Sequence, residues 1–358
     1  MDNMELYRQV CGAFFSDGNI TDIAPYGEGH INTTMLVCVD GVKYILQHMN
    51  TLVFPSPDDV MNNIYGVTTH LSAKGKETLD VIPTIAGDIY LKHDTGCYRI
   101  YKFIENTVSH QSCPDKETLY YAGKAFGEFQ NALSDFDPAK LKEIIPDFHN
   151  TCKRYEHFKR AINEDCCGRV KECKEEIEWL LSVEDEACKL TSLYNEGKLP
   201  LRVTHNDTKI NNVLFDEKTL EPLVVIDLDT VMPGLVGHDF GDAVRFAANF
   251  AEEDCADISK VGLDLNTYWA FSEGFLSKTA KTLTDMEVET LGVSCFAIAC
   301  ELSTRFLADY LAGDRYFKVK KDKHNLVRTR AQIALAKDMQ RKMDVMTAIC
   351  VECCKKYK

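Results

Sequence analysis

The chain has 358 residues, with 55 Asp and Glu against 41 Lys and Arg and a formal charge of -14. That balance argues against a duplex nucleic-acid binder working through clustered basic side chains, and the length exceeds what one core usually serves, so two lobes are expected. No charged-then-apolar leader opens the chain and no uninterrupted apolar stretch reaches the length of a bilayer span, which sets the expectation of a cytoplasmic protein with no membrane partner, acting on small polar molecules as a monomer or simple homo-oligomer. The 15 cysteines are scattered, and Cys350-Val351-Glu352-Cys353 lacks a second pair at matching spacing for zinc, so reduced core thiols are expected.

In chain order, Leu6, Val10 and Phe14 at helical spacing predict a helix over residues 4–15. Three short strands follow at 20–26, 34–39 and 42–47, the last two joined by the tight turn Asp40-Gly41 in an antiparallel meander. Between the first two lies Gly27-Glu28-Gly29-His30-Ile31-Asn32-Thr33, whose glycines serve a plain hairpin turn or let backbone amides close over a phosphate; the aspartates farther on favour the phosphate. His30 and Asn32 would then face one cleft, although His30 reads equally as a solvated loop histidine. Phe54-Pro55-Ser56-Pro57-Asp58-Asp59 opens a helix over 60–73, and strands are predicted at 81–84, 89–92 and 98–103. The last runs into the extended segment Phe103-Ile104-Glu105-Asn106. From Asp115 onward helices are predicted at 119–133 and 152–162, then one charged helix over 170–194 whose run from Lys171 to Glu178 reads as a solvated face.

The chemistry concentrates next. An apolar run at 201–203 delivers Thr204-His205-Asn206-Asp207-Thr208-Lys209-Ile210-Asn211-Asn212, in which Asp207 can take the proton of a hydroxyl, Lys209 can face a phosphate and Asn212 can hold a divalent metal by its amide oxygen. Twenty residues past Asp207, the strand Leu223-Val224-Val225-Ile226 ends in Asp227-Leu228-Asp229. Strand alternation puts Asp227 and Asp229 on one face, where the two carboxylates invite a cation such as magnesium; a simple turn is the plain alternative. Met232-Pro233-Gly234 turns the chain, and His238-Asp239-Phe240-Gly241-Asp242 precedes a helix. That Asp-Phe-Gly spells a kinase metal triplet, but no apolar strand delivers Asp239, so the metal is assigned to Asp227, and Asp239 or Asp242 to capping the helix and bracing the catalytic loop. Helices follow at 266–277, 285–311 and 324–350. Glu301, Arg305 and Asp309 form a stripe at four-residue spacing, ordinarily a surface ion-pair ladder, although the apolar surroundings would suit an Arg turned into a cleft.

These strings, with Val225-Ile226-Asp227-Leu228-Asp229-Thr230-Val231-Met232-Pro233-Gly234 and Asp239-Phe240-Gly241-Asp242, resemble the aminoglycoside phosphotransferase and choline kinase superfamily, and the longer ones are most similar to its N-acetylhexosamine 1-kinases. The resemblance implies an α+β, two-lobed, protein-kinase-like fold. Residues 1–105 would form a small antiparallel-sheet, nucleotide-binding lobe, and 106–358 a large, mainly helical lobe with the catalytic loop and sugar site. It implies ATP and magnesium, with Gly27, Gly29, Asn32, Gln47 and the hinge residues Phe103 and Ile104 on the nucleotide. Asp207 and Lys209 would be catalytic, and Asn212, Asp227 and more weakly Asp229 would hold metal. His30, Arg305, Tyr316 and Asp207 would meet an N-acetylglucosamine or N-acetylgalactosamine whose anomeric hydroxyl receives the phosphate. Gln47 stands where relatives carry a third-strand lysine, with Lys43 as an alternative phosphate partner on the same strand face. Another acceptor (choline, homoserine, methylthioribose or an aminoglycoside) keeps the same chemistry; the missing lysine also admits a sensor that binds nucleotide or sugar without turnover.

Overall fold

A computed structural model describes residues 3–27, 31–111 and 115–358. Helix α1 (Asn3–Gly12) leads into β1 (Ile20–Pro25), β2 (Thr33–Val39) and β3 (Val42–Met49). Helix α2 (Pro57–Ala73), β4 (Val81–Ile82), β5 (Leu91–His93) and β6 (Gly96–Lys102) complete the small lobe. Its sheet is antiparallel, ordered β1-β2-β3-β6-β4, with β5 also on β6. The Asp40-Gly41 hairpin forms as expected, both residues left-handed at φ 51 and 81. Alternation buries Val37, Val39 and Leu46 on the face covered by Val10 of α1 and by Phe14 just after it. Helix α2 turns the other way: Val60, Met61, Ile64 and Val67 join the core of the helical part, and Asn63 Nδ2 donates to the Val231 carbonyl at 2.8 Å.

After the hinge, β7 (Thr107–Val108) leads to α3 (Lys116–Ala132), α4 (Thr151–Glu164), α5 (Lys174–Ser182), α6 (Glu184–Ala187) and α7 (Lys189–Asn195). The single charged helix expected over 170–194 is thus several short pieces. Its apolar residues Ile177, Leu180, Ala187 and Leu190 reach the core only because the chain re-aims at Val183 and Cys188. Then come β8 (Arg202–Thr204), β9 (Val213–Asp216), β10 (Pro222–Val225), β11 (Met232–Gly234) and α8 (Val236–Ala247). Strands β10, β9 and β7 form one small sheet, and β11 pairs with β8. Met232-Pro233-Gly234 is therefore a strand, not the turn its Pro-Gly suggests. A Cβ on Gly234 would lie 2.2 Å from Thr204 Oγ1, so only glycine permits this pairing.

Helices α9 (Leu265–Thr279), α10 (Asp285–Leu311) and α11 (His324–Tyr357) close the fold. Helix α9 crosses α3 so closely that a Cβ on Gly274 would sit 2.0 Å from the Tyr120 carbonyl oxygen. Helix α10 is long and apolar enough by composition to cross a bilayer, contrary to the sequence expectation, but 83% of its most apolar window is buried within the protein. Its apolarity is that of a central core helix. Cys350, Cys353 and Cys354 lie buried on α11, the first 2.9 Å from Tyr268 Oη. A small antiparallel-sheet lobe beside a large helical one is the α+β arrangement expected.

Candidate active site

The candidate catalytic loop leaves β8 at Thr204, and its shape comes from backbone satisfaction by buried side chains. Asp239 lies in the first turn of α8, and its carboxylate accepts from the His205 amide at 2.9 Å, the Asn206 amide at 2.7 Å and Gln130 Nε2 at 2.7 Å. Thr208 Oγ1 donates to the Asp239 carbonyl at 2.6 Å. Asp239 is thus a brace and not a cap; α8 starts at Val236, two residues before His238, with Leu235 at the N-cap. Asp242 does not cap either. It pairs with buried Arg245 at 2.9 Å, and Arg245 reaches Glu253 at 3.0 Å. Asn206 takes up a left-handed φ of 65, with its side-chain amide donating to the Thr230 carbonyl at 2.9 Å. His205 accepts the Asp207 amide on Nδ1 at 3.2 Å, so Nε2 carries the proton to the Ile226 carbonyl at 2.8 Å. These bonds lace the catalytic loop to the segment carrying Asp227.

On this frame Asp207 stands partly open, 2.7 Å from Lys209 Nζ. Burial works against the Lys209 charge, but Asp207 and Asp242 outweigh it and raise its pKa, so it stays a cation. Asn212 Nδ2 donates to the Asp207 carbonyl at 2.8 Å and lies 3.3 Å from Asp207 Oδ2. Strand β10 ends at Val225, and Asp227 is left-handed at φ 58, so the chain enters a 3-10 turn over Leu228–Thr230. Asp227 and Asp229 therefore do not leave a common strand face, because the alternation that would align them stops two residues earlier. Burial, then the Asp229 and Asp207 carboxylates, push the Asp227 carboxyl up to about 6. Among the described residues, no three His, Cys, Asp or Glu side chains gather into a ready metal cage.

Asp229 has other partners. Arg99 Nη1 on β6 lies 2.6 Å from Asp229 Oδ1, and Asn32 Nδ2 donates to Oδ2 at 2.7 Å. Asn32 Oδ1 also accepts from the Asn50 amide at 2.9 Å, so Asn32 fastens the end of its loop instead of facing an open cleft. Gln47 Oε1 accepts from Arg99 Nε at 2.9 Å. Lys43 lies near the start of the same strand, 3.3 Å from Glu105 and over the Phe103 ring. At the hinge, the Phe103 amide continues the β3 ladder to the Lys43 carbonyl at 3.1 Å, and Thr107 Oγ1 donates to the Ile104 carbonyl at 2.9 Å. Gly27 is left-handed at φ 75, while Gly29 and His30 lie outside the described residues.

Beside the Asn206 carbonyl, α10 meets the segment before α4. Glu301 is fully buried, 3.0 Å from His149 Nδ1 and 3.2 Å from Thr151 Oγ1, and His149 Nε2 reaches the Asn206 carbonyl at 3.3 Å. Burial disfavours a charged His149, but Glu301 overrides it and raises the pKa. Burial first, and then His149, pushes neighbouring His238 down to about 3, so it stays neutral. Arg305 is 3.9 Å from Glu301, with its guanidinium over the Phe148 and Phe317 rings. Asp309 turns away to accept from the Arg315, Tyr316 and Phe317 amides. The 301, 305, 309 stripe is therefore no surface ladder: α10 is central, so its charges must be satisfied inside. Tyr316 is held by its amide, but its side chain is 74% exposed, turned to solvent in this state. Arg154 donates to the Phe148 carbonyl at 2.7 Å, and its pKa is lowered by burial and then by Arg305.

Arg99, His149 and Arg154 escaped sequence reasoning. Only Arg99 left a trace, as a lone cation amid Tyr98, Ile100 and Tyr101. The small antiparallel-sheet lobe beside a large helical one is a protein-kinase-like fold, and solved structures share it. An aminoglycoside phosphotransferase from Alicyclobacillus acidocaldarius has TM-score 0.64 at 11% identity, covering 96% of each chain. A microcompartment-associated aminopropanol kinase has 0.61 at 12%, covering 96% of this chain and 98% of that one. A choline kinase from Cryptosporidium parvum has 0.60 at 13%, covering 96% and 97%. The profile of the Phosphotransferase enzyme family matches residues 22–270, and the chain belongs to that family.

Proposed function

We propose that the protein is an ATP-dependent, cytoplasmic kinase that phosphorylates the anomeric hydroxyl of N-acetylglucosamine or N-acetylgalactosamine. Related solved structures include a spectinomycin phosphotransferase with ADP bound, which supports a nucleoside triphosphate as donor. Asp207 accepts the sugar's O1 proton as the new O–P bond forms and the bond from the terminal phosphorus to the bridging oxygen breaks. Lys209, 2.7 Å from Asp207 in the free protein, can swing its charge to the phosphate. Magnesium fits the donor set. It takes one or two carboxylates and keeps water and phosphate oxygens for the rest, so a preformed cage is not required. Asp227 would supply a buried carboxylate, and Asn212, whose amide nitrogen is spent on the Asp207 carbonyl, would supply its amide oxygen. When bound, the metal supplies positive charge against the phosphate oxygens.

The observation that carries the acceptor is the sign of the wall linked to Asn206. Two guanidinium groups, Arg305 and Arg154, stand near one buried carboxylate, Glu301. Such a wall repels choline and aminoglycosides, whereas hydroxyls and an acetamido carbonyl accept readily from guanidinium groups beside the Phe148 and Phe317 rings. The test is product analysis over N-acetylglucosamine, N-acetylgalactosamine, glucosamine, choline and kanamycin, with the phosphorylated oxygen identified. Phosphate on O1 of the acetamido sugars, and about tenfold or poorer use of glucosamine, is expected from charge alone. Preference for an amine would overturn the sugar assignment.

A further inference from the structure

Gln47 and Arg99 are directly opposed in the antiparallel β3–β6 pair, so the neutral side chain on the third strand touches a cation supplied by the next strand. The Arg99 side chain is 1% exposed, and its three directions are spoken for: Nε on Gln47, Nη1 on Asp229, and the guanidinium face over the Tyr101 ring at 5.3 Å. Gln47 is itself held, its Nε2 donating to Thr34 Oγ1 at 3.2 Å on β2. A buried ion pair contributes little net stability, since desolvation offsets the attraction. Its position is more telling. Asp229 is two residues past Asp227, and Asn32, just before β2, holds the other Asp229 oxygen. The guanidinium thus lies where the small sheet meets the segment that carries Asp227.

We propose that Arg99 provides the small lobe's fixed positive charge for the nucleotide phosphates, in place of a third-strand lysine, with Gln47 as its strut and Asp229 as its counter-ion. This rests on the nucleotide reading above. Arg99 is a positioning residue: it offsets the Asp229 carboxylate, whose uncompensated charge would repel the phosphates through a poorly screened interior, and holds Asp229 turned toward the small lobe. One buried guanidinium thereby serves both lobes.

The test is calorimetric binding of ATP, ADP and adenosine without acceptor, with unfolding midpoints recorded alongside, for the natural chain, R99K, R99Q and Q47K/R99Q. R99Q is expected to weaken ADP and ATP about tenfold or more while leaving adenosine within about twofold, because only the phosphates feel the lost charge. R99K is expected to stay within roughly threefold of the natural chain, and Q47K/R99Q, which moves the cation back to the third strand, to recover most of the loss. Equal weakening of adenosine and ADP, or unchanged ADP binding in a folded R99Q, overturns the proposal. Should R99Q fail to fold, Q47K/R99Q decides, because loss of its preference for ADP over adenosine overturns it equally. A natural chain that binds neither ADP nor ATP overturns the nucleotide reading itself, separately from the role of Arg99.

Discussion

The proposed phosphate side and the proposed acceptor side of the site are built in different ways. Asp207, Lys209, Asn212 and Asp227 fall within one short stretch, held in place by bonds between that stretch and Asp239. His149, Arg154, Glu301 and Arg305 come from segments some 150 residues apart and meet only because α10 runs through the core against α4. The first side is dominated by carboxylates and one loop lysine, the second by guanidinium and imidazole groups around a single buried carboxylate. Proton removal and metal binding need a compact, nearly invariant geometry, whereas acceptor recognition needs a wall whose sign and shape suit one ligand.

That contrast can be broken at several points. Asp207→Asn keeps the shape and removes the base, so kcat should fall by about a thousandfold or more with the unfolding midpoint unchanged; near-normal turnover in a steady-state assay would remove Asp207 from its role. Asp239→Ala strands two loop amides and Gln130, which should cost roughly 3 kcal/mol or more in urea unfolding, whereas the phosphate side is self-supporting if the loss is negligible. Arg305→Met should raise the acceptor KM about ten- to a hundredfold and leave ADP affinity unchanged; a parallel loss of ADP binding would mean the two sides are not separable.

Acidity sharpens the comparison further. His238 has a folded pKa of about 3 against 6.5 for a free side chain, so the unfolded chain takes up its proton first. Stability should fall as pH drops from about 6.5 toward 3, by up to about 1.4 kcal/mol per unit from this group. His149 runs the other way: its raised pKa contributes stability below 6.5 that is lost as pH rises through the raised value. Urea unfolding of His238→Gln against the natural chain at pH 7, 5 and 4 reads the acid limb, and a gap that does not close or reverse on acidification would contradict it. The smallest effect is expected at Tyr316→Phe. With its ring in solvent, kcat and KM should change less than about twofold, and a larger change would mean that the ring folds onto the acceptor.

The small sheet was legible in residues 20–47 because period-two alternation and the Asp40-Gly41 turn are local signals. The strand nature of Met232-Pro233-Gly234 was hidden, since its pairing depends on how closely Gly234 approaches Thr204. The Asp227 and Asp229 alternation failed for a related reason. The apolar letters before Asp227 suggest a strand to its end, but a left-handed residue redirects the chain, and the Arg99 that claims Asp229 lies 130 residues upstream. On α10, spacing suggested a surface ladder because periodicity reports which side chains share a face and not whether that face meets water.

The amino-acid order by itself determined the grouping of Asp207, Lys209 and Asn212, because these side chains are neighbours along one loop and their reach is set by covalent spacing. It also determined the family, through that loop and the aspartate twenty residues beyond it. Only the tertiary structure decided which charges neutralise one another: Asp229 with Arg99, Glu301 with His149, and Asp242 with Arg245. A buried charge must find a partner wherever the packed elements bring one within about 4 Å, and no local pattern in the chain records that distance.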